Sequence, residues 1–136
     1  MYMRLEDQVC SLELAKRLKE LGVKQTAFWS WYDATDRDDT PTLNRSTLLG
    51  NCTTCRFPKA AWDEEFSAFT VAELGKMLPR YTKCWQWHDL DKQEDGRPYW
   101  NCENEQYNAQ ENAINESDAR AKMLIYLLEN NLTAAK

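Results

Sequence analysis

Two segments with helical spacing of apolar residues, 11–21 and 117–131, constrain the fold of this chain more than any other feature of its sequence. Apolar residues recur in them every three or four positions, which places those side chains on one face of an α-helix. The positions are Leu14, Ala15, Leu18, Leu21, Ala121, Leu124, Ile125 and Leu128, and Leu132 continues the pattern just after the second segment. Because an apolar helix face must be buried against another layer, both helices need packing partners within the fold.

The two predicted helices have suitable capping residues. Ser11 and Ser117 are predicted N-caps, because a serine hydroxyl can accept a hydrogen bond from an amide of the first helical turn. Gly22 is predicted to end the first helix, because glycine readily adopts the left-handed conformation that follows many helices.

A third, short helix is predicted to begin at Thr70 and to end at Leu78, the residue before a proline. Thr70 and Glu73 have the spacing of a capping box, in which each side chain accepts a hydrogen bond from the other residue's backbone amide. Phe69 and Leu74 have the spacing of the hydrophobic contact that often accompanies this cap.

Three segments are predicted strands. Residues 26–32 are rich in aromatic residues, and residues 83–89 and 97–103 alternate between apolar and polar side chains on either side of a turn. Residues 33–41 are predicted to be a loop, and the polar residues 104–115 an extended surface connection.

The two later strands are predicted to pair so that apolar side chains meet, with Trp85 opposite Cys102 and Trp87 opposite Trp100. In this register Cys84 and Cys102 lie on opposite faces of the hairpin, because successive side chains of a strand alternate. Together the elements predict a single α+β domain over residues 1–136, in which an antiparallel sheet of three or more strands packs on two main helices and one short helix.

The charge of the chain restricts its partners. The formal net charge is −5 and no strong cluster of lysine and arginine is present, so binding to nucleic acid through phosphates is disfavoured. No apolar run approaches the roughly 20 residues that span a bilayer, and the first residues lack the apolar stretch of a secretory signal. We therefore expect a cytoplasmic protein with no membrane contact.

The five cysteines are expected to be separate thiols, because their number is odd and a reducing compartment disfavours a disulfide framework. Cys52 and Cys55 have the spacing of a zinc site, which Cys84, His88 or Cys102 could complete. However, the predicted register puts Cys84 and Cys102 on opposite faces of the hairpin, and an extended strand would hold Cys84 and His88 about 13 Å apart. Separate thiols are the preferred interpretation, and no metal or cofactor is predicted.

His88 is the one histidine of the chain, so any mechanism with a histidine base must use it. Cys84, the nearest candidate nucleophile in sequence, is too distant along the predicted strand. No catalytic residue is predicted.

Two acidic, turn-rich segments are the candidate partner-binding surface, although solvated loops are the simpler interpretation. Neither segment has the ligand positions of an EF-hand calcium loop. The candidate residues are Asp36, Asp38, Asp39, Asp91, Glu94 and Asp95.

The aromatic residues are expected to form a shared core under the sheet. The alternative is that two or three of the tryptophans line a pocket for a flat ligand such as a nucleotide base. The candidates are Trp29, Trp31, Trp85, Trp87 and Trp100.

Three segments of the chain resemble a group of small uncharacterised proteins found in phages, prophages and integrative elements. They are VCSLELAKRLKELGVKQ at 9–25, SAFTVAELGKMLP at 67–79 and DARAKMLIYLLENN at 118–131. Their residues are helix caps and buried stripes, so the resemblance implies a mobile-element origin and supplies no catalytic or binding residues.

From this resemblance and the acidic segments we expect a non-catalytic protein that binds a host protein stoichiometrically in a bacterial cell, in host takeover or counter-defence. One alternative is a protein that sequesters a nucleotide-like ligand in an aromatic pocket. Another is a small Cys/His metal-binding module or enzyme. A homo-oligomer is left open.

Overall fold

The computed structural model of the protein describes residues 4–34, 41–45, 63–86 and 100–134. Within these ranges the chain forms four helices and six strands. In chain order they are α1 (Leu5–Gln8), α2 (Leu12–Glu20), β1 (Trp29–Ala34), β2 (Thr42–Arg45), β3 (Asp63–Ala68), α3 (Val71–Met77), β4 (Thr82–Gln86), β5 (Trp100–Asn104), β6 (Ala109–Ala113) and α4 (Glu116–Glu129).

The strands of the described ranges form two antiparallel sheets of three strands each, in the orders β2-β1-β3 and β4-β5-β6. The predicted α+β class is therefore confirmed. The strands predicted at 26–32, 83–89 and 97–103 do not share one sheet, however, because β1 belongs to the first sheet while β4 and β5 belong to the second. Each sheet is completed by strands that the pattern of apolar residues does not reveal.

Helix α4 contributes residues to both hydrophobic cores of the described chain. The first core joins α2, α3, β3 and α4, and the second core joins α4 to β5 and β6. The α4 residues in the first core are Ala121, Leu124, Ile125 and Leu128, as the apolar stripe predicts. Those in the second core are Ala119, Met123 and Leu127. The buried surface of α4 is therefore wider than the stripe, because the helix is covered on two sides.

None of the helices in the described ranges is both long enough and apolar enough to cross a membrane. The longest of them, α4, has 14 residues, whereas a bilayer-spanning helix needs about 20.

Helix α2 confirms the helix predicted at 11–21. Ser11 is the N-cap residue by its extended backbone, but its side chain makes no capping hydrogen bond. At the other end Gly22 has a φ of 91°, and the amides of Gly22 and Val23 donate to the carbonyl oxygens of Lys19 and Leu18. This is the Schellman arrangement, so Gly22 ends the helix as predicted.

Helix α4 is capped by Asn115 and not by the predicted Ser117. The side chain of Asn115 accepts a hydrogen bond from the amide of Asp118 at 2.9 Å. Ser117 lies inside the first helical turn, is fully buried, and donates its hydroxyl to Asn115 Oδ1. The prediction was wrong by two residues because both residue types are good N-caps and the sequence offers them close together.

Helix α3 has the predicted capping box. Thr70 Oγ1 accepts a hydrogen bond from the amide of Glu73, and Glu73 Oε1 accepts one from the amide of Thr70 at 2.9 Å. Glu73 Oε2 also accepts a hydrogen bond from the amide of Phe28, just before β1. The cap therefore fixes the segment that leads into the first sheet as well as the start of α3.

Strands β3 and β6 were not predicted. Strand β6 lies within 104–115, so the prediction of a surface connection there was wrong. In β3 the buried residues include the polar side chains Glu65 and Ser67, and Ser30 Oγ donates to Glu65 Oε2 at 2.9 Å. In β6 the residues that pack on the second core are the alanines Ala109 and Ala113. Buried polar residues and alanine are not typical of strands, so neither segment was predicted as a strand from the sequence.

The pairing of β4 with β5 differs from the predicted register by one residue. Cys84 lies opposite Cys102, and Trp85 lies opposite Asn101. The prediction of Trp85 opposite Cys102 was therefore wrong. Because side chains alternate along a strand, this shift of one residue moves Cys84 to the face that carries Cys102 and moves Trp85 to the other face.

Candidate functional site

The candidate site is the thiol pair, Cys84 and Cys102, at the centres of β4 and β5. The two residues are directly opposed in the antiparallel ladder, and their Sγ atoms are 2.8 Å apart. Directly opposed residues of antiparallel strands have Cα atoms about 4.5–5.5 Å apart, which lies within the range that a disulfide can bridge. The backbone therefore already has a spacing that a bond between the two sulfurs can use.

The two thiols differ in access. Cys102 is fully buried in the second core, where Met123 and Leu127 of α4 also lie. Cys84 is partly exposed, because β4 is an edge strand of its sheet. A reagent from solvent can therefore reach Cys84 more readily than Cys102.

Two charged side chains of α4 act on the thiol pair. Glu116 and Arg120 are one helical turn apart, and Arg120 Nη2 lies 3.7 Å from Glu116 Oε1. Arg120 Nε is buried and has no hydrogen-bond partner in the part of the chain that the structure describes. The positive charge of Arg120 favours a thiolate on either cysteine, and the negative charge of Glu116 opposes it.

Cys84 is the more acidic thiol of the pair. The hydrogen bond between the two thiols lowers the pKa of Cys84, burial opposes this, and the Arg120 charge lowers the pKa further. The same hydrogen bond and burial raise the pKa of Cys102. Since the thiolate is the reactive form of cysteine, Cys84 has both the access and the acidity of an attacking thiol.

Cys10 provides a contrast within the same chain. It is fully buried in the first core, and burial raises the pKa of its thiol to about 12. An inert buried thiol of this kind serves packing, and it fits the expectation from the sequence that the cysteines are separate thiols.

The predicted metal ligands are not brought together in the described residues. Cys52, Cys55 and His88 lie outside the described ranges, and Cys84 faces Cys102 instead. In 4–34, 41–45, 63–86 and 100–134 no group of three or more His, Cys, Asp or Glu side chains is placed to bind a metal ion. The argument that Cys84 and Cys102 lie on opposite faces was wrong, since the observed register puts them side by side.

The predicted partner-binding residues all fall outside the described ranges. They are Asp36, Asp38, Asp39, Asp91, Glu94 and Asp95. The acidic segments therefore stay a prediction from the sequence.

The predicted aromatic pocket is divided in the structure. Trp29 and Trp31 belong to β1 in the first sheet, whereas Trp85 and Trp100 belong to the second sheet. Trp100 shares a face with Cys102 and packs on the second core, while Trp85 lies on the opposite face beside Asn101. The four described tryptophans are thus divided between two sheets, and Trp87 is outside the described residues.

The residues that sequence reasoning missed are Cys102, as the partner of Cys84, and Arg120. The sequence did contain a signal for the pairing of Cys84 with Cys102. The observed register also places Thr82 opposite Asn104, and Asn104 Nδ2 donates a hydrogen bond to Thr82 Oγ1 at 3.0 Å. Pairing like with like, cysteine with cysteine and polar with polar, would have given this register. No comparable signal marks Arg120, whose position depends on how α4 packs.

Comparison of the chain with protein-family models, with curated proteins and with solved structures finds no match. The resemblance to proteins of phages and integrative elements therefore stays a prediction.

Proposed function

We propose that this protein is a thiol–disulfide redox protein, in which Cys84 and Cys102 convert reversibly between two thiols and one disulfide. The observation that carries the proposal is the 2.8 Å separation of the two Sγ atoms on directly opposed residues of one sheet. A proximity of this kind lets the second thiol react within the molecule and so favours an intramolecular disulfide over a mixed one.

The reaction needs an oxidant, and a low-molecular-weight disulfide supplies it. The Cys84 thiolate attacks one sulfur of that disulfide, the sulfur–sulfur bond of the oxidant breaks, and one small thiolate leaves and is protonated. Cys102 then gives its proton to solvent and attacks Cys84 Sγ, which displaces the second small thiol. The two cysteine sulfurs lose two electrons in total, and the small disulfide is reduced to two thiols.

The disulfide would join β4 to β5 and close the chain between residues 18 positions apart. A cross-link of this loop length stabilises a protein by about 3 kcal/mol, mainly by restricting the unfolded chain. The oxidised protein would therefore be more stable than the reduced protein. The oxidised fraction in the cell would depend on the ratio of small disulfides to thiols.

The test is to equilibrate the folded protein with mixtures of oxidised and reduced glutathione, block free thiols at low pH, and identify disulfide-linked peptides by mass spectrometry. A background variant with Cys52→Ser and Cys55→Ser removes the CxxC pair as a competing dithiol. We expect a peptide that links Cys84 to Cys102, with Cys10 still free. If that link is absent from the folded protein even in excess oxidised glutathione, the proposal is wrong.

A second proposal, stoichiometric binding to a basic surface of a host protein, is favoured by the charge distribution of the sequence. The net charge is −5, and acidic residues are concentrated at 33–39 and 89–95. Charge of this kind steers association with a basic partner. This proposal is independent of the thiol pair, since a binding protein needs no reactive cysteine.

A further inference from the structure

We infer that strand β4 binds the redox substrate as an added antiparallel strand, and that the substrate is therefore a disulfide within an extended polypeptide segment. The inference rests on the proposed redox function and names the substrate class of the same site. It is carried by the hydrogen-bonding pattern between β4 and β5 and by the position of Cys84 in that pattern.

The hydrogen bonds between β4 and β5 alternate along the two strands. Just before β4, the amide of Glu105 donates to the carbonyl oxygen of Tyr81 at 3.2 Å, so these two residues form a hydrogen-bonded pair that continues the register of the strands. In antiparallel strands, hydrogen-bonded and non-hydrogen-bonded pairs alternate. Further along the same register, Cys84 and Cys102 therefore form a non-hydrogen-bonded pair.

The backbone amide and carbonyl of Cys84 consequently point away from β5, toward the open side of β4. Thr82 and Gln86, which precede and follow Cys84 by two positions, face the same way. In the described part of the chain β4 is an edge strand, and no described residue outside the sheet forms a backbone–backbone hydrogen bond with Cys84. An unpaired strand edge of this kind is a template for pairing with another extended chain.

The spacing of these backbone groups selects a polypeptide as the partner. Each of the three residues presents one donor and one acceptor, and the next set lies about 6.8 Å further along the strand, which is the length of two residues. An extended backbone repeats its own donors and acceptors at the same distance. A low-molecular-weight disulfide is too short to match the whole edge.

A strand that pairs in this way would bring its own cysteine to Cys84. A residue directly opposite Cys84 would form a hydrogen-bonded pair with it, whose Cα atoms lie about 5.5 Å apart, within the roughly 4.4–6.8 Å that a disulfide spans. Its side chain would lie on the same face of the sheet as the Cys84 thiol. Cys102 lies on the other side, with its Sγ atom 2.8 Å from Cys84 Sγ. Cys84 would therefore lie between the substrate cysteine and the thiol that completes the reaction.

The exchange with such a substrate balances in the same way as the exchange with a small disulfide. The Cys84 thiolate attacks the substrate sulfur opposite it, the sulfur–sulfur bond of the substrate breaks, and the second substrate sulfur leaves as a thiolate that takes up a proton. Cys102 then gives its proton to solvent, attacks Cys84 Sγ and displaces the first substrate sulfur, which is protonated in turn. The substrate gains two electrons and becomes two thiols, while Cys84 and Cys102 lose two electrons and become a disulfide.

The experiment compares two oxidants of the reduced protein in the Cys52→Ser and Cys55→Ser background. One is oxidised glutathione, and the other is a short peptide of alternating threonine and valine whose central cysteine carries glutathione in a disulfide. Acid quenching and peptide mass spectrometry give the rate at which the Cys84–Cys102 disulfide forms. Because each net hydrogen bond contributes roughly twofold to tenfold in an equilibrium constant, we expect the peptide to react at least about tenfold faster at equal concentration.

Two methylated peptides test whether strand pairing causes this difference. A methyl group on the amide of the central cysteine removes a donor that faces β4, whereas a methyl group on the amide of the next residue modifies a donor that points away from β4. The two peptides have the same composition and carry the same disulfide. We expect the first methyl group to lower the rate roughly fivefold and the second to have a much smaller effect.

The inference is overturned if the unmethylated peptide reacts no faster than oxidised glutathione, or if the two methylated peptides react equally. The redox function stands in both cases, provided that oxidised glutathione produces the disulfide. A dimer in solution that the peptide does not dissociate would show that a second copy of the chain occupies the edge, and this would also overturn the inference. A protein that forms the disulfide with none of these oxidants contradicts the redox function itself, and the inference with it.

Discussion

The backbone amide of Ser11 donates a hydrogen bond to Asp118 Oδ1 at 2.7 Å, and so joins the start of α2 to the first turn of α4 across 107 positions of sequence. Burial raises the pKa of Asp118, and the hydrogen bond from Ser11 and the charge of Lys122 oppose this rise. The contact between the two helices therefore depends on a carboxyl group whose charge the folded protein disfavours.

The first prediction concerns the pH dependence of stability. Because the folded pKa of Asp118 lies above its unfolded value, its contribution to stability is complete below the ordinary aspartate pKa of about 3.9 and is lost as the pH rises through the folded pKa. Relative to Asp118→Asn, which keeps the acceptor oxygen without the charge, wild type should therefore lose stability as the pH rises above about 4 and through the folded pKa of Asp118. Urea denaturation of both proteins at a series of pH values measures this effect. The prediction is contradicted if the stability of wild type relative to Asp118→Asn is constant or increases with pH.

The second prediction concerns the capping box of α3. Thr70→Ala removes the acceptor for the Glu73 amide and should cost about 1 kcal/mol in the free energy of unfolding. Glu73→Ala should cost more, because Glu73 accepts hydrogen bonds from the amides of both Thr70 and Phe28. Thr70→Ser keeps the acceptor and is the matched control. Equal denaturation midpoints for Thr70→Ala and Thr70→Ser would show that the cap contributes nothing.

The third prediction is that oxidation stabilises the protein. With Cys52 and Cys55 replaced by serine, the form with a Cys84–Cys102 disulfide should melt about 10 °C above the reduced form, given a gain of about 3 kcal/mol. A further Cys84→Ser replacement should abolish the dependence on reductant. This reverses the expectation of separate thiols, under which a reducing agent would leave the melting temperature unchanged. Identical melting of the two forms would count against the cross-link as a stabilising bond.

The fourth prediction tests the second proposal, binding through the acidic segments. Replacing the six acids by Asn or Gln should change the free energy of unfolding by no more than about 0.5 kcal/mol for each substitution. The complex with a basic host protein, once one is identified, should form more slowly, and its association rate should depend less on the salt concentration. The residues are Asp36, Asp38, Asp39, Asp91, Glu94 and Asp95.

The control for this experiment is Glu6→Gln with Glu13→Gln, which removes two exposed acids of α1 and α2 and should leave binding nearly unchanged. Undiminished binding of the six-residue variant at low ionic strength would rule out the acidic segments as the docking surface.

Three of the four described helices, α2, α3 and α4, were predictable from sequence because their signals are local. The stop at Gly22 and the cap at Thr70 and Glu73 depend on residues within one or two turns of each other, and the structure confirms both. The position of β6 was not predictable in this way. Ala109 and Ala113 are part of the second core because α4 packs there, and this contact is not local in sequence.

The candidate site was missed for a related reason. The predicted register maximised contact between large apolar side chains and so gave Trp85 the place opposite Cys102 that Cys84 occupies. The face of the second sheet that receives α4 carries Trp100 together with the smaller residues Cys102, Ala109 and Ala113. The face of a sheet that a helix covers depends on the tertiary structure. A rule that pairs the side chains of two strands cannot predict that face.

The shared position of α4 has a consequence for the synthesis of the protein. A ribosome makes the strands of both sheets before it reaches residues 116–129, yet both hydrophobic cores include residues of this helix. A nascent chain that ends at β6 therefore lacks the α4 residues that pack with Phe69 in the first core and with Cys102 in the second. We expect such a chain to expose part of both cores to solvent and to chaperones until Leu128 has emerged.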